Sequence, residues 1–207
     1  MPVKIKFCGI TRAEDANAAV SLGADAIGFV FYAPSPRCIG VAQAVDIARR
    51  LPPFLCKVGL FVNAPAAEVD AVSRAVGLDV VQYHGDETPT ECARSPRPWI
   101  KAFRVRAGID TATECARYGA ASAWLFDSFD EKLYGGSGKA FDWRLLPQLS
   151  RRPIILAGGL TPDNVGEAIR VTKPYAVDVS GGIEATKGIK DYQKMHDFVA
   201  EVKRVEC

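Results

Sequence analysis

Histidine is scarce in this chain, and its scarcity excludes one large class of metal site. Only two of the 207 residues are histidine, which argues against a site built from several imidazole ligands. The six cysteines form no Cys-x-x-Cys pair and do not stand near a histidine at the spacing of a zinc site. We therefore expect no metal, and we interpret the cysteines as reduced thiols of a cytoplasmic protein.

Long apolar runs and blocks of a single charge are also missing. No apolar run approaches the length of a secretory or membrane-spanning segment. The formal net charge of +2 is spread along the chain without a basic block, so neither nucleic acid nor a membrane surface is expected as a partner. No linker or low-complexity segment interrupts the sequence, which predicts a single domain over residues 1–207.

What the sequence does contain is a regular alternation of strand and helix patterns. Helical stretches such as 41–51 and 65–77 separate most of the predicted strands, and strands that alternate with helices form parallel sheets. Eight such units in about 200 residues predict an α/β protein with a single-domain (β/α)8 TIM barrel. A doubly wound open sheet is the alternative. The apolar, β-branched runs lie near Val3, Ala26, Cys56, Val80, Trp99, Ala123, Pro153 and Ala176.

Helix-start signals fall where turns between strands and helices need them. Threonine followed three residues later by glutamate predicts capping boxes at 11–14, 88–91 and 111–114. Thr161 followed by Pro162 predicts a fourth helix start, with proline at the first helical position.

The end of the first strand carries an unusual residue. Alternation puts Val3, Ile5 and Phe7 on one face, and Lys6 and Cys8 on the other. Cys8 thus closes the strand just before a glycine and a helix, at the position where ligands bind in α/β proteins. The alternative is that Cys8 is a small buried apolar residue.

Four further strand ends or following loops carry polar residues. Asp127 continues the predicted interior face of strand six, where an acid is costly unless it is hydrated or paired; a helix cap or salt bridge is the alternative. Arg37 lies in a proline-bracketed loop that suits recognition of a carboxylate, although it could be a surface arginine. For His84, which follows strand four, the alternative is a structural role at a turn. Asp178 closes the last strand.

Glycine-rich turns follow strands seven and eight. Gly158 and Gly159 form the first turn, and Ser180, Gly181 and Gly182 form the second. Backbone N–H groups at these two places often bind phosphate in such barrels, whereas tight turns without a ligand are the alternative. The stretch 135–139 is not a nucleotide P-loop, because its first glycine and the final Ser or Thr are missing. It is a candidate lid.

A series of short motifs follows the chain from residue 6 to residue 191. They are KFCGI at 6–10, GFVF at 28–31, SPR at 35–37, VGLFV at 58–62, VQYHG at 81–85, FDS at 126–128, GGSG at 135–138, FDW at 141–143, LAGGL at 156–160, NV at 164–165, DVS at 178–180 and GIKD at 188–191. In this shared order they resemble the phosphoribosylanthranilate isomerases of tryptophan biosynthesis. Two departures are Gly181, where that family usually has a second serine, and Tyr83 in place of leucine.

The resemblance implies an Amadori rearrangement of a small phosphoribosyl substrate by a monomer or homodimer. It implies that Asp127 is the acid that opens the ribose ring and that Cys8 is the base for the neighbouring carbon. Arg37, His84 and Asp178 would contact the substrate, with Arg37 on its carboxylate, and the two glycine turns would hold the phosphate. No metal or organic cofactor would be required.

Two other functions stay open on the sequence. One is the related isomerisation of a phosphoribosylated imidazole in histidine biosynthesis, which would use aspartates at the ends of strands one and five. Cys8 ends strand one and no acid occurs in the fifth. The other is a phosphosugar-binding barrel without catalysis, which loss of the Cys8 and Asp127 pair would favour.

Overall fold

Eight parallel strands close into a barrel in the computed structural model, which describes residues 2–105, 111–128, 142–143, 146 and 150–206. Each strand pairs with the next, and the last pairs with the first, Lys6 standing opposite Asp178. The predicted (β/α)8 barrel is confirmed, and the open sheet is wrong because its two edges are paired to each other. The strands are β1 (Lys4–Cys8), β2 (Ala26–Phe31), β3 (Cys56–Phe61), β4 (Val80–Tyr83), β5 (Trp99–Val105), β6 (Ala123–Ser128), β7 (Ile154–Leu156) and β8 (Ala176–Val179).

Helices connect the strands in the part of the chain that the structure describes, and a small hairpin follows the barrel. The hairpin, β9 (Glu184–Thr186) with β10 (Ile189–Lys190), comes directly after a short 3-10 helix, Gly181–Ile183. None of the helices in the described ranges combines the length and apolar character that a membrane span requires. The helices are α1 (Ala13–Leu22), α2 (Val41–Ala48), α3 (Ala66–Val76), α4 (Pro89–Cys92), α5 (Thr111–Ala116), α6 (Val165–Thr172) and α7 (Tyr192–Glu206).

The helix starts predicted from threonines are only partly correct. The capping box at 88–91 is confirmed, because the Thr88 hydroxyl accepts from the Glu91 N–H and the Glu91 carboxylate accepts from the Thr88 N–H. The box at 11–14 is wrong: Arg12 is the N-cap of α1, and the Thr11 hydroxyl donates to the Gly188 carbonyl instead. The start at 161–162 is wrong as well, since α6 begins at Val165.

The remaining start predictions have mixed outcomes. Thr111, the predicted N-cap of the box at 111–114, is instead the first described residue of α5; because residues 106–110 lie outside the described residues, the start of this helix stays untested. The candidate lid at 135–139 also lies outside them. α3 runs between Pro65 and the left-handed cap Gly77, in agreement with the predicted helix over 65–77.

The barrel interior changes character from one end to the other. Its lower part is a cluster of small and aliphatic side chains, which includes Ala102, Leu125 and Ile155. Lys6 and Cys8 also point inward, where an added Cβ at Gly28 of the neighbouring strand would meet both. The predicted parity of strands one and six is therefore confirmed. Polar groups line the carboxyl ends of the strands, above this apolar floor, and Lys6 is a further buried charge below the pocket that they form.

Candidate active site

One pocket at the carboxyl ends of the strands brings the predicted site residues together. It encloses about 700 Å³ of empty space, part of it open to solvent. That it binds a ligand through these residues stays a prediction. Every one of them lines it: Cys8, Arg37, His84, Asp127, Gly158, Gly159, Asp178, Ser180, Gly181 and Gly182.

Cys8 forms part of the pocket wall at the end of β1. Its side chain is buried among Val30, Leu60 and Val62, and its carbonyl accepts a hydrogen bond of 3.0 Å from the Ser180 hydroxyl. Burial raises the pKa of the Cys8 thiol above its ordinary value, although the nearby ammonium of Lys6 opposes the rise. Burial thus favours the protonated thiol, so a thiolate requires a cation close by.

Asp127 and His84 lie next to each other in the pocket wall. Asp127 Oδ2 lies 3.2 Å from His84 Nε2, while Asp127 Oδ1 accepts from the Ser128 N–H at 2.7 Å. On the other side of the ring, Gln82 Nε2 lies 2.9 Å from His84 Nδ1. With the Gln82 NH₂ group donating to Nδ1, the ring proton lies on Nε2, but that nitrogen makes no hydrogen bond although the Asp127 carboxyl group is close to it. Contact of His84 with a substrate stays a prediction, and so does its structural alternative.

Gly158 allows the turn after β7 to pack over this carboxylate. A Cβ at Gly158 would lie 2.4 Å from the Ser128 nitrogen and 2.9 Å from Asp127 Oδ1, and its φ of 81° is left-handed. Both observations exclude a side chain here. The glycine therefore serves the close approach of two loops, besides any contact with a ligand.

Arg37 is held by Glu184, a residue that sequence reasoning missed. Arg37 Nε and Nη2 donate to the two Glu184 oxygens at 2.7 and 2.8 Å, and Lys190 Nζ donates to the same carboxylate at 3.1 Å. Burial alone would raise the pKa of Glu184, but Arg37 and Lys190 together hold it below its ordinary value. Lys190 lies inside the GIKD motif, which could have marked it as a functional residue. Glu184 lies in none of the motifs, so the sequence gave no sign of its role.

This ion pair leaves half of the guanidinium free of Glu184. Arginine has five N–H donors in a rigid fork, and the contact with Glu184 uses only the Nε–Nη2 edge. The remaining edge, formed by Nη1 and the second N–H of Nη2, can bind another carboxylate with two parallel hydrogen bonds. Arg37 is therefore not a surface arginine. Its side chain is only 11% exposed, and the ion pair with Glu184 fixes the direction of its guanidinium group.

Asp178 is paired inside the barrel. Lys6 Nζ donates to Asp178 Oδ1 at 2.9 Å, and both side chains are buried. The sequence placed Lys6 on the interior face but assigned it no role. A lysine at an interior position was itself a signal, because such a charge is stable only with a partner.

The two glycine turns lie side by side, as the order of adjacent strands predicts. Gly158 and Gly159 adopt left-handed φ values of 81° and 65°, and Asn164 fixes their loop by donating to the Gly159 carbonyl. A Cβ at Gly182 would lie 1.8 Å from the Leu160 carbonyl oxygen. The turns are therefore in direct contact, and successive N–H groups in such turns can form a concave anion site.

The described residues contain no group of three or more His, Cys, Asp or Glu side chains arranged to hold a metal ion. Two charged groups that line the pocket are instead paired with residues behind its wall, Asp178 with Lys6 and Arg37 with Glu184, which also binds Lys190.

Comparisons with known proteins agree on one family. Residues 5–201 match the model of the N-(5′-phosphoribosyl)anthranilate isomerases. The isomerase of that name from Pseudomonas fluorescens strain Pf0-1 is 57% identical over 201 residues, which cover 97% of this chain and 98% of the relative.

Solved structures give the same result. The phosphoribosyl anthranilate isomerase from Thermotoga maritima is 42% identical with a TM-score of 0.89, covering 98% of this chain and 99% of its own. A second such structure, in complex with reduced 1-(o-carboxyphenylamino)-1-deoxyribulose 5-phosphate, is 37% identical with a TM-score of 0.84 over 98% and 99% of the two chains. The chain belongs to the N-(5′-phosphoribosyl)anthranilate isomerase family.

Proposed function

We propose that the chain converts N-(5′-phosphoribosyl)anthranilate to 1-(2-carboxyphenylamino)-1-deoxyribulose 5-phosphate, an isomerisation in tryptophan biosynthesis. The observation that carries the proposal is the pocket in which Cys8 and Asp127 lie with Arg37 and the two glycine turns. It therefore offers an acid, a base, a carboxylate-binding group and an anion-binding corner, which are the four functions that this substrate requires.

The proposed reaction is a general acid–base Amadori rearrangement. Asp127 gives its proton to the ring oxygen of the ribose, the bond from that oxygen to C1 breaks, and the nitrogen lone pair forms an iminium ion. The Cys8 thiolate removes the proton from C2, and the electron pair of that bond neutralises the iminium as an enolamine. Tautomerisation then moves the proton of the C2 hydroxyl to C1 and leaves a ketone. The atoms balance without an oxidant or a co-substrate.

The isomerisation of a phosphoribosylated imidazole is not favoured by the fifth strand. Ile100 and Ala102 are apolar and belong to the barrel floor, and Arg104, at the next position of the same parity, is a cation, so the strand supplies no second carboxylate.

A direct assay tests the proposed activity. Purified protein should consume phosphoribosylanthranilate, followed by loss of its fluorescence, without added metal. Pre-treatment with a chelator should leave the rate unchanged. Absence of turnover in a folded protein would refute the function, and a rate that returns only with one metal would refute the cofactor-free mechanism.

We also propose a cytoplasmic protein, consistent with free thiols at five described cysteines, that is a monomer or homodimer.

Replacing Arg37 by lysine is expected to weaken the binding of anthranilate-bearing ligands by about 10- to 100-fold. Lysine keeps the charge but loses both the paired edge on Glu184 and the free edge of the fork. A hydrogen bond to a charged group contributes about 1.5–3 kcal/mol. Inhibition constants of the product analogue would measure the effect.

The matched control for this change is Arg74→Lys. Arg74 also makes a two-point contact with a carboxylate, that of Asp70, but on the exposed face of α3. It should lose a comparable side-chain pair without any change in ligand affinity. Equal affinity in wild type and Arg37→Lys would contradict the proposed role.

Replacing Gly159 by valine is expected to weaken the binding of phosphorylated ligands by about tenfold or more, the effect of losing one charge-assisted hydrogen bond. The side chain would block close approach of the anion to the turn. Valine at a φ of 65° is also strained, so stability will fall too. Calorimetric titration with inorganic phosphate would separate the two effects.

Gly77→Val provides the same backbone strain away from the pocket. Gly77 has a φ of 70° and nothing within 4 Å of an added Cβ. We expect lower stability with unchanged phosphate binding for this control. If both variants bind phosphate equally well, the glycine turns are not the phosphate site.

A further inference from the structure

Lys6 is a buried cation that the proposed mechanism does not use. It stands two residues before Cys8 on β1 and projects into the barrel below the pocket, with a side chain only 5% exposed. Removing an ammonium group from water is costly unless the structure uses the charge. Asp178 balances that charge at 2.9 Å. A pair of well-packed apolar residues would stabilise the barrel at least as well, so stability alone does not explain the pair.

The neighbouring strand shows where the ammonium group lies relative to the thiol. Gly28 stands opposite Cys8 in the register of β1 and β2. A Cβ at Gly28 would lie 2.9 Å from Cys8 Sγ and 3.1 Å from Lys6 Nζ. Cys8 Sγ and Lys6 Nζ therefore both lie against the space that Gly28 leaves open, and they are close to each other.

We infer that Lys6 is a positioning residue whose ammonium group stabilises the Cys8 thiolate, with Gly28 providing the space for their contact. The inference rests on the proposed function in one respect, because that function supplies the proton that the thiolate removes. An ammonium group has three N–H donors, and Asp178 takes one of them. Another can point at the sulfur. Lys6 thus acts through Cys8 and needs no contact with substrate.

The electrostatic balance at Cys8 supports this role. Burial raises the pKa of the thiol, and Lys6 is the largest influence that lowers it, by its charge and by a hydrogen bond. Burial lowers the pKa of Lys6 itself, but Asp178 and Cys8 together raise it above its ordinary value, so Lys6 stays charged. Asp178 acts on Cys8 with the opposite sign, since its negative charge raises the pKa of the thiol.

Other charged groups near Cys8 are balanced by partners of their own. Lys190 also lowers the pKa of the Cys8 thiol, though by less than Lys6 does, and the charges of Lys190 and Arg37 are both paired with Glu184. Val30 of β2 and Leu60 of β3, which pack with Cys8, are apolar. Among the described residues, the ionisable groups that line the pocket besides Cys8 are Tyr32 and Arg37 after β2, His84 after β4, Asp127 on β6 and Asp178 on β8. Lys6 on β1 pairs with Asp178, and Glu184 and Lys190 on the hairpin pair with each other and with Arg37.

The opposite signs of Lys6 and Asp178 give a sharp test. The rate of alkylation of Cys8 by iodoacetamide, resolved by peptide mass spectrometry and measured against pH without substrate, reports the pKa of this one thiol. Lys6→Met should raise that pKa and Asp178→Asn should lower it. At a pH below the pKa, a thiol whose pKa is higher by one is alkylated about tenfold more slowly. Exposed Cys38 is the internal reference.

A second variant covers the case in which Lys6→Met does not fold. Lys6→Met/Asp178→Asn removes both charges and leaves neither buried alone, and it should still raise the pKa of Cys8 because burial remains without its cation. The matched control is Lys101→Met/Glu87→Gln, which removes another buried ion pair, 2.8 Å long, away from Cys8. It should leave the titration of Cys8 unchanged.

The results also separate this inference from the proposed function. Shifts of the same sign in Lys6→Met and Asp178→Asn, or no shift in Lys6→Met, would overturn the role of Lys6. An inactive wild-type protein with the expected opposite shifts would contradict the function and leave the contact intact. In an active enzyme, the acid limb of kcat/KM should move to higher pH in Lys6→Met, in step with the alkylation result.

Discussion

Cys8→Ala is expected to lower kcat by roughly 10²- to 10⁴-fold, which corresponds to about 3–5 kcal/mol and is typical of a lost general base. Alanine keeps the Cβ and removes only the sulfur atom, so the apolar surroundings formed by Val30 and Leu60 should remain packed. What disappears is the only group at the end of β1 that can accept a proton from the sugar carbon. The expected signature is a large fall in kcat with a small change in KM.

The matched control for Cys8→Ala is Cys115→Ala. Cys115 is also a fully buried free thiol, but it lies in the layer outside the barrel, away from the pocket. Steady-state assays of both variants, with thermal unfolding as the measure of stability, separate loss of a base from loss of a buried sulfur. Near wild-type turnover in Cys8→Ala would remove Cys8 from the mechanism.

The strand positions and the inward-facing residues could be predicted because they depend on local patterns. Apolar, β-branched runs mark strands wherever they are buried on both faces, and the period of two residues is enough to place Cys8 and Asp127 on the interior face. The carboxyl ends of parallel strands meet at one end of a barrel. Hence residues far apart in the chain could be assigned to one pocket.

The side-chain partners could not be predicted, because they depend on closure of the barrel. Lys6 and Asp178 are separated by 172 positions and meet only because β1 pairs with β8. Glu184 meets Arg37 because a hairpin after the last strand folds back over the loop after β2. Sequence patterns report which face a residue occupies, and they do not report which charge stands opposite.

The two incorrect helix starts have a related cause. A threonine hydroxyl can cap a helix, but it can also bond any other backbone group within reach. Thr11 does so with the distant Gly188 carbonyl. At the other site, the side chain of Asn164 accepts from the Thr161 N–H, and the helix begins three residues later than predicted from proline. A tertiary contact overrides the capping rule at Thr11, and a local side-chain contact from Asn164 overrides it at Thr161.

Asp127→Asn is expected to lower kcat by roughly 10²- to 10⁴-fold as well, the usual range for a lost general acid. An amide keeps the shape of the carboxyl group but has no proton to give to the ring oxygen. The Ser128 N–H can still donate to the amide oxygen, as it does to Asp127 Oδ1. The amide NH₂ then faces the N–H of His84, and rotation of the Gln82 amide, whose oxygen is buried without a partner, can reverse the ring tautomer.

The expected loss in Asp127→Asn should be confined to ring opening. Binding of the reduced, open-chain product analogue should stay close to wild type, because that ligand has no ring oxygen to protonate. Asp25→Asn is the control: Asp25 also lies beside a basic side chain, that of Lys4, but it lies before β2 at the opposite end of the barrel, and its replacement should leave kcat unchanged. If Asp127→Asn turns over substrate at the wild-type rate, the proton for the ring oxygen comes from another group, and His84 is the nearest candidate at 3.2 Å from the carboxylate. A variant that loses affinity for the open-chain analogue as strongly as it loses kcat would instead mean that Asp127 binds substrate and does not act as the acid.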